Sequence, residues 1–573
     1  MSRGRVVLAL LAASAAGALS FLLVQDHVAG DALSADEPVH ILAGYFEVFG
    51  RTAIVNIEHP PLMKLLAGLG LKALPLPPPP DRVPMGNRFT DFGHAFLFEN
   101  RVSPDAIAGA ARRPFRWLLL GLLALVFAAA GSRDGVPAAL FATSLLAFDP
   151  NFVAHAGVVH TDLGASLGFL ATVLAWDRVL EEPELARLAV AAGVLGLALA
   201  TKFSAAYLLP ILLLQGLLAA RRAGRPGREA ALVLLRLVAV GTGALLLVVG
   251  IYAAVTTRMN LDDQRQVLWE MVGERGAPGL ARSIQRVAGI CPPLAHYLGG
   301  LAAVARQNAV GGGVNFLDGK VSIQGFPSYF FVAFGAKSTL AFLAATLLAL
   351  VGTWRFRLRQ EAALYLLPVA VLFLASIGSS YNIGIRHLLP AYPFLALAAA
   401  AVLARMREGS RRSAALAAVL LVALPLSAAA ETIRIHPHEL SYFNALVGGP
   451  EGGRKILSDS NVDWGLDLRR LAAELARRGV ADPTVVYFGG DDVAYRVGVP
   501  DFSAEPTVRG TLVAVSAFPL AVGPLYYAYH GAPGLGAALE RLLGEIARRG
   551  RPAGRVGYSI YLFELAPTGE THP

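Results

Sequence analysis

The side chains able to do chemistry come in a few tight groups. Asp36, Glu37 and His40 stand in "DEPVH"; Glu58, His59 and Lys64 stand in "NIEHPPLMK". Asp149, His155, His160 and Asp162 share "DPNFVAHAGVVHTDLG". Lys202 interrupts the apolar "LALATKFSAAYLLP", and Arg386 and His387 open "IRHLLPAYPF". Carboxylates can take a proton from a hydroxyl, while lysine and arginine can clamp a phosphate. Asp36, Glu37, Glu58 and Asp162 together with Lys64, Lys202 and Arg386 are therefore a mixture suited to phosphate and hydroxyl chemistry. Glu58, His59 and Asp162 also have ligand types that suit a divalent metal ion.

Each group has a plain structural reading beside this one. An acid followed by Glu and Pro starts a helix, as does "HPP". Lys64 and Lys202 can snorkel to a membrane interface. His155 and His160 are five apart, not the four of a zinc-binding helix pair. Arg386 is different: a cation at a helix start opposes the dipole, which argues for an anionic ligand there rather than for capping. No phosphate-binding glycine loop, serine elbow, kinase set or zinc-protease signature is present.

The elements that must position these residues are membrane spans. Of 573 residues, 55% are hydrophobic and 16% charged, against about 25% charged in soluble domains. Apolar runs recur at the length of a bilayer-crossing helix, about eleven of them within a range of about nine to thirteen. The net charge of +9 is no nucleic-acid signature. The arginines sit in short loops without aromatic partners: Arg221, Arg222, Arg225 and Arg228; Arg355, Arg357 and Arg359; Arg405, Arg407, Arg411 and Arg412. With Met1 inside, because of Arg3 and Arg5, alternating spans place all three clusters in the cytoplasm. The same alternation puts the polar groups outside, beginning with a long first loop, about 26–113. The first apolar stretch exceeds a signal-peptide core and reads as a retained span. A single cysteine, Cys291, excludes an intrachain disulfide. Residues 1–432 thus form a transmembrane domain. The tail, 433–573, reads as a small α/β domain outside the membrane: "LDLRRLAAELARRG" is an amphipathic helix, and "TVVYFGG", "GTLVAVS" and "YSIYLFEL" are strands.

Six motifs in order resemble bacterial glycosyltransferase family 39, which includes protein O-mannosyltransferases and lipid A aminoarabinose transferases. They are "DEPVHILAGYFEVFG", "NIEHPPLMKLLAGL", "DPNFVAHAGVVHTD", "LALATKFSAAYLLP", "YNIGIRHLLPAYPFLAL" and "ELSYFNALVGGPEGGRKILSDSNVDWGLDL", spanning about 36–470. The resemblance implies an all-α integral-membrane C-type glycosyltransferase fold with interfacial helices in the first outer loop. It implies an inverting transfer of sugar from a polyprenyl-phosphate carrier to a protein hydroxyl or glycolipid, at the outer face of the cytoplasmic membrane. Asp36 maps onto the acid that activates the acceptor, with Glu37 its neighbour. Lys64, Lys202, Arg386 and His387 would approach the carrier phosphate. Glu58, His59 and Asp162 would be the place for a divalent metal ion. Mannose and aminoarabinose both remain open as the sugar. One departure is Leu466, where many relatives carry glutamine. A lipid or solute transporter is the alternative, and would bury charges midway along its spans.

Overall fold

The computed structural model describes residues 3–79, 91–222 and 226–566, so Met1, Pro80 and Arg225 lie outside the described residues. Among the described residues eight helices are long and apolar enough to cross a membrane, or ten with each of two bent pairs counted as one span. The bends are of 62° between Val136–Ala147 and Pro150–Ala156, and of 119° between Tyr329–Lys337 and Leu340–Arg355. The first is punctuated by Asp149, whose side chain accepts from the Asn151 N–H at 2.9 Å with Pro150 behind it. Leu185–Leu199 is apolar but has only 15 residues, about 22 Å of helix against about 30 Å of hydrocarbon. The upper count of ten lies within the expected nine to thirteen. The chain is a multi-pass membrane protein.

The helices are arranged around Tyr392–Arg407, whose residues from Tyr392 to Leu403 are all buried. Its run of alanines lets neighbouring helices close on it. The outermost helices, Pro226–Val255 and Arg411–Ile435, instead expose Leu235, Val238 and Leu246, and Val419, Val422 and Leu426. Such faces are stable only against lipid.

The first loop contains short helices, among them Glu37–Tyr45, Pro61–Leu71 and Pro104–Arg112. The first two cross at a glycine pair: a Cβ on Gly44 would lie 2.3 Å from the Lys64 carbonyl, and one on Gly68 would lie 2.2 Å from the Gly44 carbonyl.

The tail holds a four-stranded sheet. Thr484–Val486 runs parallel to Leu512–Ser516; Ile560–Leu565 then pairs antiparallel with Leu512–Ser516, and Gly550–Val556 lies antiparallel at the edge. The amphipathic helix is Leu468–Arg478, burying Leu468, Leu471 and Leu475. The edge strand, "GRPAGRV", has no apolar alternation and is invisible to a periodicity reading. The same holds for a small hairpin of Asn315–Leu317 and Lys320–Ser322.

Candidate functional site

The tail reaches back to hold the first loop. The N–H groups of Ala32 and Ala35 donate to the carbonyls of Leu466 (3.0 Å) and Trp464 (2.9 Å). Gly490 donates to the Leu33 carbonyl at 3.2 Å. This clamp ends at Asp36.

Asp36 keeps 37% of its side chain exposed, although protein encloses it. Arg386 Nη1 lies 3.0 Å from its Oδ2, and His160 Nε2 lies 3.2 Å away. Burial pushes the Asp36 carboxyl up, but the Arg386 guanidinium and His160 outweigh it and hold it well below the usual carboxylate range. Arg386 is 3% exposed. Its guanidinium sits 4.5 Å above the Trp464 ring. The turn that carries it is fixed from the tail, where the Asn461 Oδ1 accepts the Ile385 N–H at 3.0 Å and Ser460 donates to the Ile383 carbonyl. Arg386 Nε and His387 Nε2 are buried without a partner. Behind this pair, Asp162 is buried, bound to His160 Nδ1 and to Lys202 Nζ. Asp36, Asp162, Lys202 and Arg386 therefore form one connected charge network, with His387 in the same turn as Arg386.

The other expected residues go elsewhere. Glu37 is fully buried and takes Arg112 in a bidentate pair, both contacts 2.6 Å. It also accepts from the N–H groups of Ser34 (2.8 Å) and Val159 (3.0 Å). It therefore braces the site and has no group free to react. Lys64 corrects the expectation that it meets a phosphate: it is 2% exposed, paired with Glu47 at 2.8 Å and donating to the Asn56 carbonyl at 3.0 Å. Glu58 leaves its neighbour and pairs with Arg275 at 3.1 Å.

The expected metal set of Glu58, His59 and Asp162 therefore does not converge. His59 meets His40 and His160 instead, the three offering ligand atoms within 4.8 Å of one another. Burial pushes the His40 imidazole down to about 3, with His160 adding to it, and pushes His59 well below its ordinary value. Neutral imidazoles suit a metal, but His160 has both nitrogens engaged and His59 Nδ1 faces Asn56 Oδ1 at 2.8 Å. His40 Nε2 is buried without a partner, and His160 Nδ1 is held by its ion-pair contact with Asp162. The trio is a packed cluster, not an open cage. A second histidine group, His27, His436 and Glu439, is closed by its own hydrogen bonds of 2.7–2.9 Å.

Sequence reading placed His40 and His160 in the chemical groups without assigning them a function, and did not single out Trp464 or Asp459. The signals were present: His160 stands two residues before Asp162, and Asp459 and Trp464 belong to the last quoted motif. Burial pushes Asp459 up to about 7, against the pull of Arg386. Leu466, the departure from the family pattern, packs with Ala154, Val158, Leu440 and Trp464 beneath the site.

No protein-family model and no curated protein matches the chain. Among solved structures it is similar to ArnT from Cupriavidus metallidurans bound to undecaprenyl phosphate, at 14% identity over 99% of each chain, with a TM-score of 0.34. The apo state of that protein gives 15% identity over 98% of this chain and 97% of that chain, with a TM-score of 0.31. It is also similar to the archaeal oligosaccharyltransferase AglB from Archaeoglobus fulgidus in complex with an inhibitory peptide and a dolichol-phosphate. That match has 13% identity over 99% of this chain and 75% of that chain, with a TM-score of 0.43. At TM-scores below 0.5 these likenesses give no residue a role, and the charge network around Asp36 stands on its own geometry.

Proposed function

We propose that this protein is an inverting membrane glycosyltransferase that moves a sugar from a polyprenyl-phosphate carrier to an acceptor hydroxyl at the outer face of the cytoplasmic membrane. The observation that carries the reading is an ionised, solvent-reachable carboxylate, Asp36, beside a buried arginine, Arg386, whose Nε is unpartnered. A base and an anion clamp side by side are what attack on a phosphate-linked sugar requires. The reactive charges lie at helix ends and in loops rather than midway along spans, which counts against a transport path.

The acceptor oxygen forms a bond to the anomeric carbon while the bond from that carbon to the carrier phosphate breaks. The acceptor proton passes to an Asp36 carboxylate oxygen. The phosphate leaves as a stable anion needing no general acid, and Arg386, with His387 and Lys202, would hold it. In the resting site Arg386 is paired with Asp36, which weakens the carboxylate as a base. Phosphate binding to Arg386 would loosen that pair and raise the basicity of Asp36 as the donor arrives. Glu37 acts as a positioning residue.

The test is transfer by purified protein in liposomes, offered a mannosyl or aminoarabinosyl polyprenyl phosphate and an acceptor. Release of carrier phosphate coupled to glycosylated product is expected. Turnover of a nucleotide sugar with no lipid carrier present would refute the reading.

A further inference from the structure

The helices that carry the Asp36 site meet again at their other ends. Phe115–Asp134 starts beside Arg112, Asp162–Glu181 starts at Asp162 itself, and Leu208–Ala220 follows the Lys202 turn. The first two helices have 20 residues each, a rise of about 30 Å, so their C-terminal ends lie about that far from the Asp36 site. Between these ends, lined on another side by the helical segment from Gln360 to Tyr365, is a cavity of about 450 Å³.

Its electrostatics are one-sided. Three helix C-termini converge on it, each the negative end of its dipole. Asp134, Asp177, Glu181 and Glu361 line it against two guanidiniums, Arg133 and Arg222. Arg133 is taken by Asp177, and Arg222 Nη2 donates to the Arg359 carbonyl at 3.0 Å. Glu181 is paired with Arg178 at 2.9 Å. Among the described residues this leaves Asp134 and Glu361 without a cation, the first at a helix C-terminus where a carboxylate is disfavoured.

Two buried side chains on the wall are also incomplete. Gln215, 5% exposed, donates through Nε2 to the carbonyls of Ala363 (3.0 Å) and Leu364 (3.3 Å), but its Oε1 has no partner. Tyr365, 1% exposed, has an unpartnered hydroxyl. Asp134 Oδ2 is a third unpartnered buried atom. Two of these three atoms are acceptors only, and the hydroxyl can accept as well as donate, so one partner for all three must be a hydrogen-bond donor, and the uncompensated carboxylates favour one carrying positive charge. A bare metal ion would leave most of the volume to water, whose share is about 30 Å³ per molecule.

We propose that this cavity binds a primary ammonium group borne by an organic molecule, with Asp134 and Glu361 as counter-charges and Gln215 Oε1 and Tyr365 as hydrogen-bond partners. The site is separate from the Asp36 network, and the proposal is independent of the transferase reading. The ammonium can come from a free polyamine or from an aminophospholipid headgroup, and the experiment separates the two.

Purified full-length protein in detergent without aminolipid is titrated by calorimetry and thermal melting with spermidine, with magnesium chloride and with inorganic phosphate. The same protein is melted in nanodiscs with and without phosphatidylethanolamine. Saturable stabilisation by spermidine, absent with magnesium and phosphate, assigns a free amine. Stabilisation only by phosphatidylethanolamine assigns the headgroup. In either case Asp134→Asn with Glu361→Gln should weaken the effect about tenfold or more. Gln215→Leu, an apolar swap, is the second variant should the double one not fold. No stabilisation by either amine, equal stabilisation by magnesium, or unchanged binding in a folded variant would overturn the proposal.

Discussion

At the scale of the residue, the decisive feature is that Asp36 and Arg386 are partners before any substrate arrives. Asp36→Asn keeps the size of the side chain but cannot accept a proton. Loss of a positioned base costs roughly 10²–10⁴-fold, so turnover should fall on that scale while folding and carrier binding persist. Retention of about a third of wild-type turnover, against that expected loss, would show that another group is the base. Arg386→Gln tests the coupling. Removing the guanidinium takes away what holds the carboxyl low, so the Asp36 pKa rises and ionisation requires higher pH. An opposite charge at contact lowers a carboxyl by about 1–3 units. The acid limb of kcat/KM should therefore move upward by about that much, beside a loss of activity. An unmoved limb would separate Asp36 from the titration.

At the scale of the element, the site depends on how closely two short helices cross. Glu37–Tyr45 carries His40, and Pro61–Leu71 starts two residues after His59. Gly44 and Gly68 leave no room for a methyl group, because each Cβ would meet backbone rather than a flexible side chain. Gly44→Ala should force the helices apart, costing about 1–3 kcal/mol and reducing turnover as the His40–His59 contact opens. Gly109, in Pro104–Arg112 of the same loop, has nothing within 4 Å of the position a Cβ would take. Gly109→Ala should be neutral or stabilising by up to about 1 kcal/mol. Melting temperatures of the two variants check both, and equal effects would remove the crossing as the cause.

At the scale of the whole molecule, the tail and the first loop build one site, which requires both on the same side of the membrane. With the arginine clusters inside, the N-terminus is expected inside and the tail outside. Ser410 and Ser503 are exposed, whereas Ser460, though in the tail, is 1% exposed and unsuited to labelling. In a Cys291→Ser background, Ser503→Cys should react with a membrane-impermeant thiol reagent in intact cells and Ser410→Cys should not. The opposite pattern would invert the topology.

Sequence alone determined what depends on composition and period. Apolar length made the spans, arginine placement suggested their direction, and alternation marked three of the four tail strands. It also brought Asp36, Asp162, Lys202 and Arg386 forward, because charges beside spans are costly without a purpose. Tertiary structure decided the partners. Glu58 and His59 are adjacent in sequence yet part to Arg275 and to the other histidines, because neighbouring side chains in a loop diverge with local backbone geometry. Glu37 and Lys64 have reactive side chains but were buried against Arg112 and Glu47, charges 75 and 17 residues away. Asp36 follows the first span, and the segment just before it is held by hydrogen bonds to residues more than 400 positions later. Pairings across such separations leave no local period, so only the folded chain displays them.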